Sequence, residues 1–383
     1  MEIINGARHT VADIATVLDK TGREHLVIVI KATYCIPANN KPPRPQVPPQ
    51  PLSMSDIFVG EFGLSAPLYE ADFVRYKAKC DVLFNATAHV PQGRAVTELN
   101  VFVRVGTMQK NIHIVGNRQW QTNAPHNSTE PEVFTEMPLH YGHAFGGIRS
   151  WQENNETKIE AIEQNLVGMG YNSPASLDGG INLPNLEMNN NPIIRSDEKY
   201  EPIALSAIAR NWLPRRMYAG TYDERWRKEV FPFLPTDFDE HYFQCAPIDQ
   251  QIQYPRGGEK VILKNIMKGR EEVRFILPRL DNIPVKILTS DYEVHTPPVV
   301  VDTLYFEPDK TCFSVVWRTS VPIKQRIQDF QTIAIGHVCK NWWETRTTGG
   351  SICSGCAGEP HGSDPVPENY PNASSNNDQG IDI

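Results

Sequence analysis

The chain has 383 residues and a hydrophobic content of 40%, so it can bury a sizeable core, and its length favours two lobes. Its 31 prolines and 25 glycines are typical of a loop-rich, β-rich protein rather than a helical bundle. The formal net charge of -8 comes with no basic patch, so we expect no nucleic-acid partner. The longest apolar run, 26–30, is too short to cross a bilayer, so we expect no membrane partner.

The start of the chain and its cysteines bear on the cellular compartment. The first residues lack the basic flank and apolar core of a secretory signal, so we expect a cytoplasmic protein. The seven cysteines are odd in number and scattered, which argues against a disulfide framework. We expect most of them to be small buried apolar residues.

Two parts of the chain have the apolar and β-branched runs that predict strands. In the first part we expect strands at 26–36, 80–88, 101–105 and 112–114. In the second part we expect them at 261–266, 273–277, 285–288, 299–306 and 311–318. The segment 37–51 contains seven prolines, which should keep it out of any sheet.

The middle of the chain, 122–209, has little periodicity, yet aromatic and aliphatic residues recur throughout it. We therefore expect ordered coil wrapped on the sheets, with a short helix around 203–212. The next stretch, 209–249, is dense in Trp, Tyr, Phe, Pro and Arg. Within it, Thr221 and Glu224 fit a capping box, which predicts a short helix that the following prolines end.

These patterns predict a mainly β fold: two β-sandwich-like lobes, a coil-rich middle segment and a few short helices. The predicted regions are an N-terminal β lobe at 1–121, a coil-rich middle at 122–250, a C-terminal β lobe at 251–346 and a disordered tail at 347–383.

The strongest metal candidate combines His337 and Cys339 with Cys353, Cys356 and His361. Zinc prefers four ligands, and a Cys-x-x-Cys turn presents two thiolates to one ion. The sequence lacks a second Cys-x-x-Cys, so we predict no metal and no cofactor. A structural module with a zinc-bound C-terminal tail stays as an alternative.

Acidic residues and histidines raise the possibility of catalysis. Asp237 and Asp239 lie close to His241, and such groups can act as a general acid and base in a hydrolase. Alternating acids in a loop more often cap turns and bind nearby arginines. His140 and His143 precede two glycines, but no Gly-x-Ser-x-Gly elbow accompanies them. We therefore predict that the protein is not an enzyme.

Binding to another protein is the function that the aromatic residues favour. Trp, Tyr and Arg contribute most often to the binding energy of protein interfaces. The candidate partner-binding residues are Trp212, Tyr222, Arg225 and Trp226, all in the aromatic stretch. The competing interpretation is that these side chains fill the coil-rich middle, where regular packing is missing.

Five segments together resemble one family. They are 79–91 (KCDVLFNATAHVP), 116–120 (GNRQW), 137–147 (MPLHYGHAFGG), 183–187 (LPNLE) and 220–249 (GTYDERW to CAPID). In this order they are similar to the domain of unknown function 2169, found in type VI secretion gene clusters. The resemblance runs from the first strand to about 335, and 220–249 is its most specific part. The proline-rich loop and the cysteine-bearing tail depart from the family.

The resemblance implies a role. Family members are expected to be cytoplasmic adaptors or chaperones that hold a toxin effector and help mount it on the VgrG/PAAR spike. No catalytic residues can be carried over. We therefore expect a non-enzymatic adaptor whose partners are an effector protein and the VgrG and PAAR spike proteins. The alternatives are a hydrolase-type effector that uses the acids near Asp237 and His241, or the zinc-tail module.

Overall fold

Strands dominate the structure, a computed structural model that describes residues 1–121, 124–172, 180–280 and 283–348. Strands account for 41% and helices for 11%, which confirms the predicted mainly β fold. None of the helices in the described part of the chain has the length and apolar character needed to cross a membrane.

The strands of the first half are β1 (Glu2–Asn5), β2 (Thr10–Leu18), β3 (Glu24–Cys35), β4 (Arg44–Pro45), β5 (Ile57–Phe58), β6 (Pro67–Tyr69), β7 (Cys80–Phe84), β8 (Thr87–His89), β9 (Glu98–Val105), β10 (Met108–Val115), β11 (Trp120–Gln121), β12 (Ala124–Ser128), β13 (Glu136–Pro138), β14 (Phe145–Gly146), β15 (Ile148–Glu153), β16 (Glu156–Ala161), β17 (Met169–Gly170) and β18 (Leu186–Met188). The later strands are β19 (Gln251–Ile252), β20 (Lys260–Met267), β21 (Arg270–Ile276), β22 (Val285–Thr289), β23 (Val294–His295), β24 (Val300–Glu307), β25 (Cys312–Pro322) and β26 (Phe330–Ile335).

Helical structure is short. The α-helices of the described residues are α1 (Leu213–Arg216), α2 (Glu224–Glu229) and α3 (Lys340–Thr347). Single 3-10 turns lie at Pro91–Gly93, Tyr141–His143, Glu240–Phe243, Ile248–Gln250, Pro308–Lys310 and Ile327–Asp329.

Two large sheets form the framework. The first has seven strands in the order β19-β7-β24-β25-β3-β2, with β4 also paired to β3. The second has five strands in the order β18-β10-β9-β20-β21. A four-stranded sheet, β1-β26-β22-β23, pairs the first strand of the chain with strands near its end. The other strands form two-stranded pairs.

The predicted division into separate lobes at 1–121 and 251–346 is wrong, because each large sheet contains strands from both regions. β3 pairs antiparallel with β25, and β7 pairs parallel with β24. A period-2 pattern identifies a strand but does not name its neighbour, so the two runs of strands looked independent. The main core accordingly packs Ile28 and Val315 together with Val103 and Leu263 of the five-stranded sheet.

The central strand of the seven-stranded sheet follows from its sequence. Residues 26–30 read LVIVI and are fully buried, as expected for a strand covered on both faces. Its prediction is confirmed. The proline-rich segment differs from the prediction, since Arg44–Pro45 pairs with Tyr34 and Cys35. A two-residue strand with proline at a sheet margin is tolerated because few of its backbone donors are needed.

The described residues of the middle of the chain alternate between coil and short paired strands, such as the β15–β16 hairpin. Their side chains form a second core in which Phe145 packs edge-to-face on Tyr200 at 5.4 Å between ring centroids. The helix expected around 203–212 is absent, because backbone groups there bond to other segments. The Leu205 N–H donates to Leu139, and the Ile208 N–H donates to Cys245.

A buried ion pair stabilises the seven-stranded sheet. Arg318 in β25 donates to the Asp302 carboxylate in β24, with one Nη2–Oδ1 distance of 3.2 Å. Its Nη1 also donates to the Val74 carbonyl at 3.1 Å. Both charged side chains are almost fully buried, so each charge is compensated by the other rather than by water.

Asp302→Ala should therefore lower the free energy of unfolding by about 3–5 kcal/mol, because it leaves Arg318 buried without a counter-charge. Urea denaturation of the full chain measures this. The matched control is Asp309→Ala, an acid on the β24–β25 turn whose side chain is 40% exposed and pairs with His89. It should cost no more than about 1 kcal/mol. Equal losses in the two variants would contradict the assignment.

Candidate partner-binding site

The aromatic stretch is organised around α2, whose start differs from the prediction. The Asp223 carboxylate accepts a hydrogen bond from the Trp226 N–H at 2.7 Å, so Asp223 is the N-cap. Thr221 instead donates its N–H and hydroxyl to the Asp237 carboxylate, at 3.0 and 2.7 Å. The capping box predicted for Thr221 and Glu224 is therefore wrong, because Asp237 engages the threonine and an aspartate stands closer to the helix.

Trp226 holds the stretch in shape. Its indole N–H donates to the Phe233 carbonyl at 2.9 Å, which closes the loop after α2. Tyr222 packs edge-to-face against the indole at 4.7 Å, and Phe231 does so at 5.7 Å. The Phe231 N–H donates to the Trp226 carbonyl at 2.9 Å, which ends the helix. One indole therefore positions aromatic rings on both sides of α2.

Several of these rings face solvent. Phe231 is 65% exposed, Tyr222 54% and Phe233 44%, while Trp226 is half-buried. We call these four residues the aromatic surface. A contiguous apolar patch of large side chains is a mark of a protein–protein interaction site. Phe233 lies against Gly22, where a Cβ atom would come within 2.8 Å of its ring, so the surface abuts the β2–β3 turn.

The structure separates the four candidate binding residues. Tyr222 and Trp226 belong to the aromatic surface. Arg225 is largely exposed and pairs with Glu229 one turn along α2, at 3.0 Å. Trp212 is 1% exposed and packs edge-to-face on Tyr141 in the main core, so it stabilises the fold and has no surface to offer a partner. Nothing in its local sequence distinguishes a buried tryptophan from an exposed one.

A second apolar surface was missed by the sequence analysis. The hairpin formed by β5 and β6 exposes Phe62 (79%), Leu64 (71%) and Met54 (67%). Phe58 packs edge-to-face on Phe62 at 5.0 Å. We call residues 54–69 the apolar hairpin. The sequence does carry a signal for this surface. At 54–64, glycines and acids interrupt the large apolar residues, so the segment does not form a buried strand and its apolar side chains are left exposed.

Ion pairs connect the apolar hairpin to α1. Asp56 accepts from Arg210 at 2.6 Å, and Arg210 also donates to Glu70 at 2.9 Å. Arg215 in α1 pairs with the same Glu70 and donates its Nε to the Tyr242 carbonyl at 3.0 Å. Burial opposes the charge on Arg215, but the Glu70 carboxylate outweighs it and raises the arginine pKa. The base of the hairpin is therefore fixed to the aromatic stretch.

A cavity of about 320 Å³ is lined by the apolar hairpin and the seven-stranded sheet. The charged residues that line it are held in ion pairs with neighbouring side chains. Lys77 donates to Asp81 at 2.8 Å, and Lys31 pairs with Asp72. Burial opposes ionisation of Asp81, yet the Lys77 ammonium and several hydrogen bonds hold its pKa below the usual value. Such pairing makes these groups structural rather than free to exchange protons with a substrate.

Cys245 also lines this cavity, and its thiol is buried. Burial, and then the Asp81 carboxylate, raise the pKa of the Cys245 thiol well above its ordinary value. The thiolate is the reactive form, so this thiol is a poor nucleophile at neutral pH.

The predicted acid–base cluster is an exposed turn. Asp239 and His241 form a pair at 2.7 Å, with side chains 50% and 53% exposed. Asp239 also accepts from the His241 N–H and so caps the 3-10 turn Glu240–Phe243. Asp237 is bound to Thr221, and none of these residues lines the cavity. The geometry is that of turn capping.

The histidine pair and the zinc candidate form no metal site among the described residues. His140 and His143 lie 5.0 Å apart between ring centroids, and burial followed by the His143 charge lowers the pKa of His140 to about 4. No group of three His, Cys, Asp or Glu side chains that could hold a metal occurs in the ranges the structure describes. Cys353, Cys356 and His361 lie outside those ranges, so the zinc alternative stays a prediction.

Comparison with known proteins places the chain in a family. The model of the family described as uncharacterized protein conserved in bacteria, DUF2169, matches residues 21–318, more than half of the chain. The chain belongs to this family. Both the aromatic surface and the apolar hairpin of this DUF2169 protein lie within the matched residues. No curated protein and no solved structure matches the chain.

Asp223→Ala should loosen α2, because it removes the N-cap of a six-residue helix, at a cost of about 1 kcal/mol. Amide hydrogen exchange at Trp226, Val230 and Phe231 should speed up about fivefold, which corresponds to that energy. Glu224→Ala is the control, since the carboxylate expected to cap the helix instead lies beside exposed Lys228. Faster exchange in the Glu224 variant but not in the Asp223 variant would contradict the observed cap.

Proposed function

We propose that this protein is a non-enzymatic cytoplasmic adaptor that binds a toxin effector and helps load it onto the VgrG/PAAR spike of a type VI secretion system. Membership of DUF2169 supports this role, because the resemblance links that family to type VI secretion gene clusters. The observation that carries the mode of action is the aromatic surface, where large rings face solvent around a capped helix.

The rings favour binding because they are exposed before a partner arrives. Burying one phenylalanine or tyrosine fully contributes about 1.5–3 kcal/mol, so a few rings can support a stable complex. They are also held in place, since Trp226 is bonded to Phe233 and packs on Tyr222 and Phe231. Little side-chain freedom is therefore lost on binding.

The chemistry of the surface selects an apolar segment of the effector. Such a segment would aggregate if left in water, and covering it with the rings protects it until loading. The apolar hairpin provides a second contact of the same character, and its ion pairs with α1 keep it at a constant position relative to the stretch that bears the rings. The two surfaces suit the two partners of an adaptor, an effector and a spike protein.

Tyr222→Ala and Phe231→Ala should each weaken binding of the effector encoded beside this gene by about tenfold to a hundredfold, because interface aromatics are frequent hot spots. Isothermal titration with the purified effector measures the dissociation constants. Tyr292→Ala is the matched control, since Tyr292 is 52% exposed against 54% for Tyr222. Folding is checked by thermal denaturation.

The proposal fails if the folded Tyr222→Ala and Phe231→Ala variants both bind the effector as tightly as the unmodified protein and the Tyr292→Ala control. It also fails if no effector or spike protein binds the unmodified protein. Phe62→Ser, tested with the effector and with the VgrG and PAAR proteins separately, assigns the apolar hairpin: selective loss of spike binding assigns it to the spike.

A further inference from the structure

β2 forms one edge of the seven-stranded sheet. β2 is the last strand of that sheet, nine residues long, and pairs with β3 along one side. Within the described residues, no strand pairs with its other side. Exposed edges are normally blunted by charges, prolines or bulges. The sequence of β2, TVADIATVL, contains one charge, Asp13, and no proline.

The hydrogen bonds identify which residues direct their backbone groups outward. The Asp19 N–H donates to the Arg23 carbonyl. The backbone N–H and C=O groups of the odd-numbered residues of β2 therefore point toward β3. Consistent with this, the Thr10 carbonyl accepts from the Asn5 side chain, and the Ile14 N–H donates to the Asp13 carboxylate at 2.8 Å. The backbone N–H and C=O groups of the even-numbered residues therefore point away from β3, toward the open edge of the sheet.

The remaining outward groups have no backbone partner among the described residues. These are the N–H and C=O groups of Ala12, Thr16 and Leu18 and the carbonyl of Ile14. They are spaced as an antiparallel strand requires, since every second residue exchanges two hydrogen bonds with its neighbour. The matching occupant is an extended strand.

The sequence of β2 matches a second copy of itself. Antiparallel pairing about a two-fold axis at Ile14 overlaps all nine residues, with Thr10 opposite Leu18. In that register Val11 faces Val17 of the other copy, and Asp13 faces Ala15. Moving the axis to Asp13 would place two carboxylates opposite each other, which is destabilising. The register with the longest overlap is therefore also compatible with the charges.

We propose that two copies of this chain associate through antiparallel pairing of their β2 strands about Ile14, which joins two seven-stranded sheets into one. A two-fold interface of this kind uses the same strand from both subunits and is closed, so it gives a dimer rather than a filament. The Asp13 carboxylate leaves the Ile14 N–H when the second strand arrives. This inference does not rest on the proposed adaptor role.

Charge substitution at Ala15 tests the register. In the dimer, position 15 faces Asp13 of the second copy, so Ala15→Lys should tighten association and Ala15→Asp should weaken it, each by about tenfold. The two variants differ in charge at the same half-buried position. Sedimentation equilibrium of the full chain over a range of concentrations measures the dissociation constant.

A proline variant tests the edge itself. Thr16→Pro removes an outward N–H and no hydrogen bond to β3, so the sheet should persist while the dimer is lost. Circular dichroism checks the fold. An unmodified protein that stays monomeric, or a dimer that none of the three substitutions changes, overturns the proposal. Protection of β2 amides only when effector is added also overturns it and assigns the edge to the effector.

Discussion

The pairing of β3 with β25 is the interaction on which the rest of the structure depends. It runs over eleven residues and joins parts of the chain nearly 300 positions apart in a single buried ladder. Both faces of β3 are covered, so the ladder is shielded from water. The neighbouring strands β24 and β7 extend it, which ties the C-terminal hairpin to the N-terminal strands.

Buried charges connect this sheet to the surfaces proposed for binding. Arg318 and Lys31 project from β25 and β3 and bind groups of the segment that follows the apolar hairpin. Glu70 in that segment pairs with Arg215, which fixes α1. Removing one partner from such a network leaves an unpaired charge in a low-dielectric interior, so the network tolerates little displacement. If the exposed rings bind a partner as proposed, so constrained a base reduces the rearrangement that binding requires.

The sequence predicted what is decided locally. The apolar runs at 26–30, 101–105 and 112–114 predict strands that the structure contains, and the aromatic stretch contains Tyr222 and Trp226, whose rings pack together at α2. It did not predict which strands pair, because partners such as β7 and β24 lie far apart in the chain. The helix expected around 203–212 loses to backbone bonds with Leu139 and Cys245, which only the folded chain supplies. Exposure of the apolar hairpin likewise depends on what packs around it.

The central claim is that the rings around α2 are the contact surface for an effector. Amide hydrogen exchange of this protein, alone and in a purified complex with its effector, tests it most directly. We expect slower exchange across 222–233 in the complex, with the apolar hairpin as the next region to respond. A stable complex in which exchange at 222–233 is unchanged, while other surfaces become protected, would contradict it.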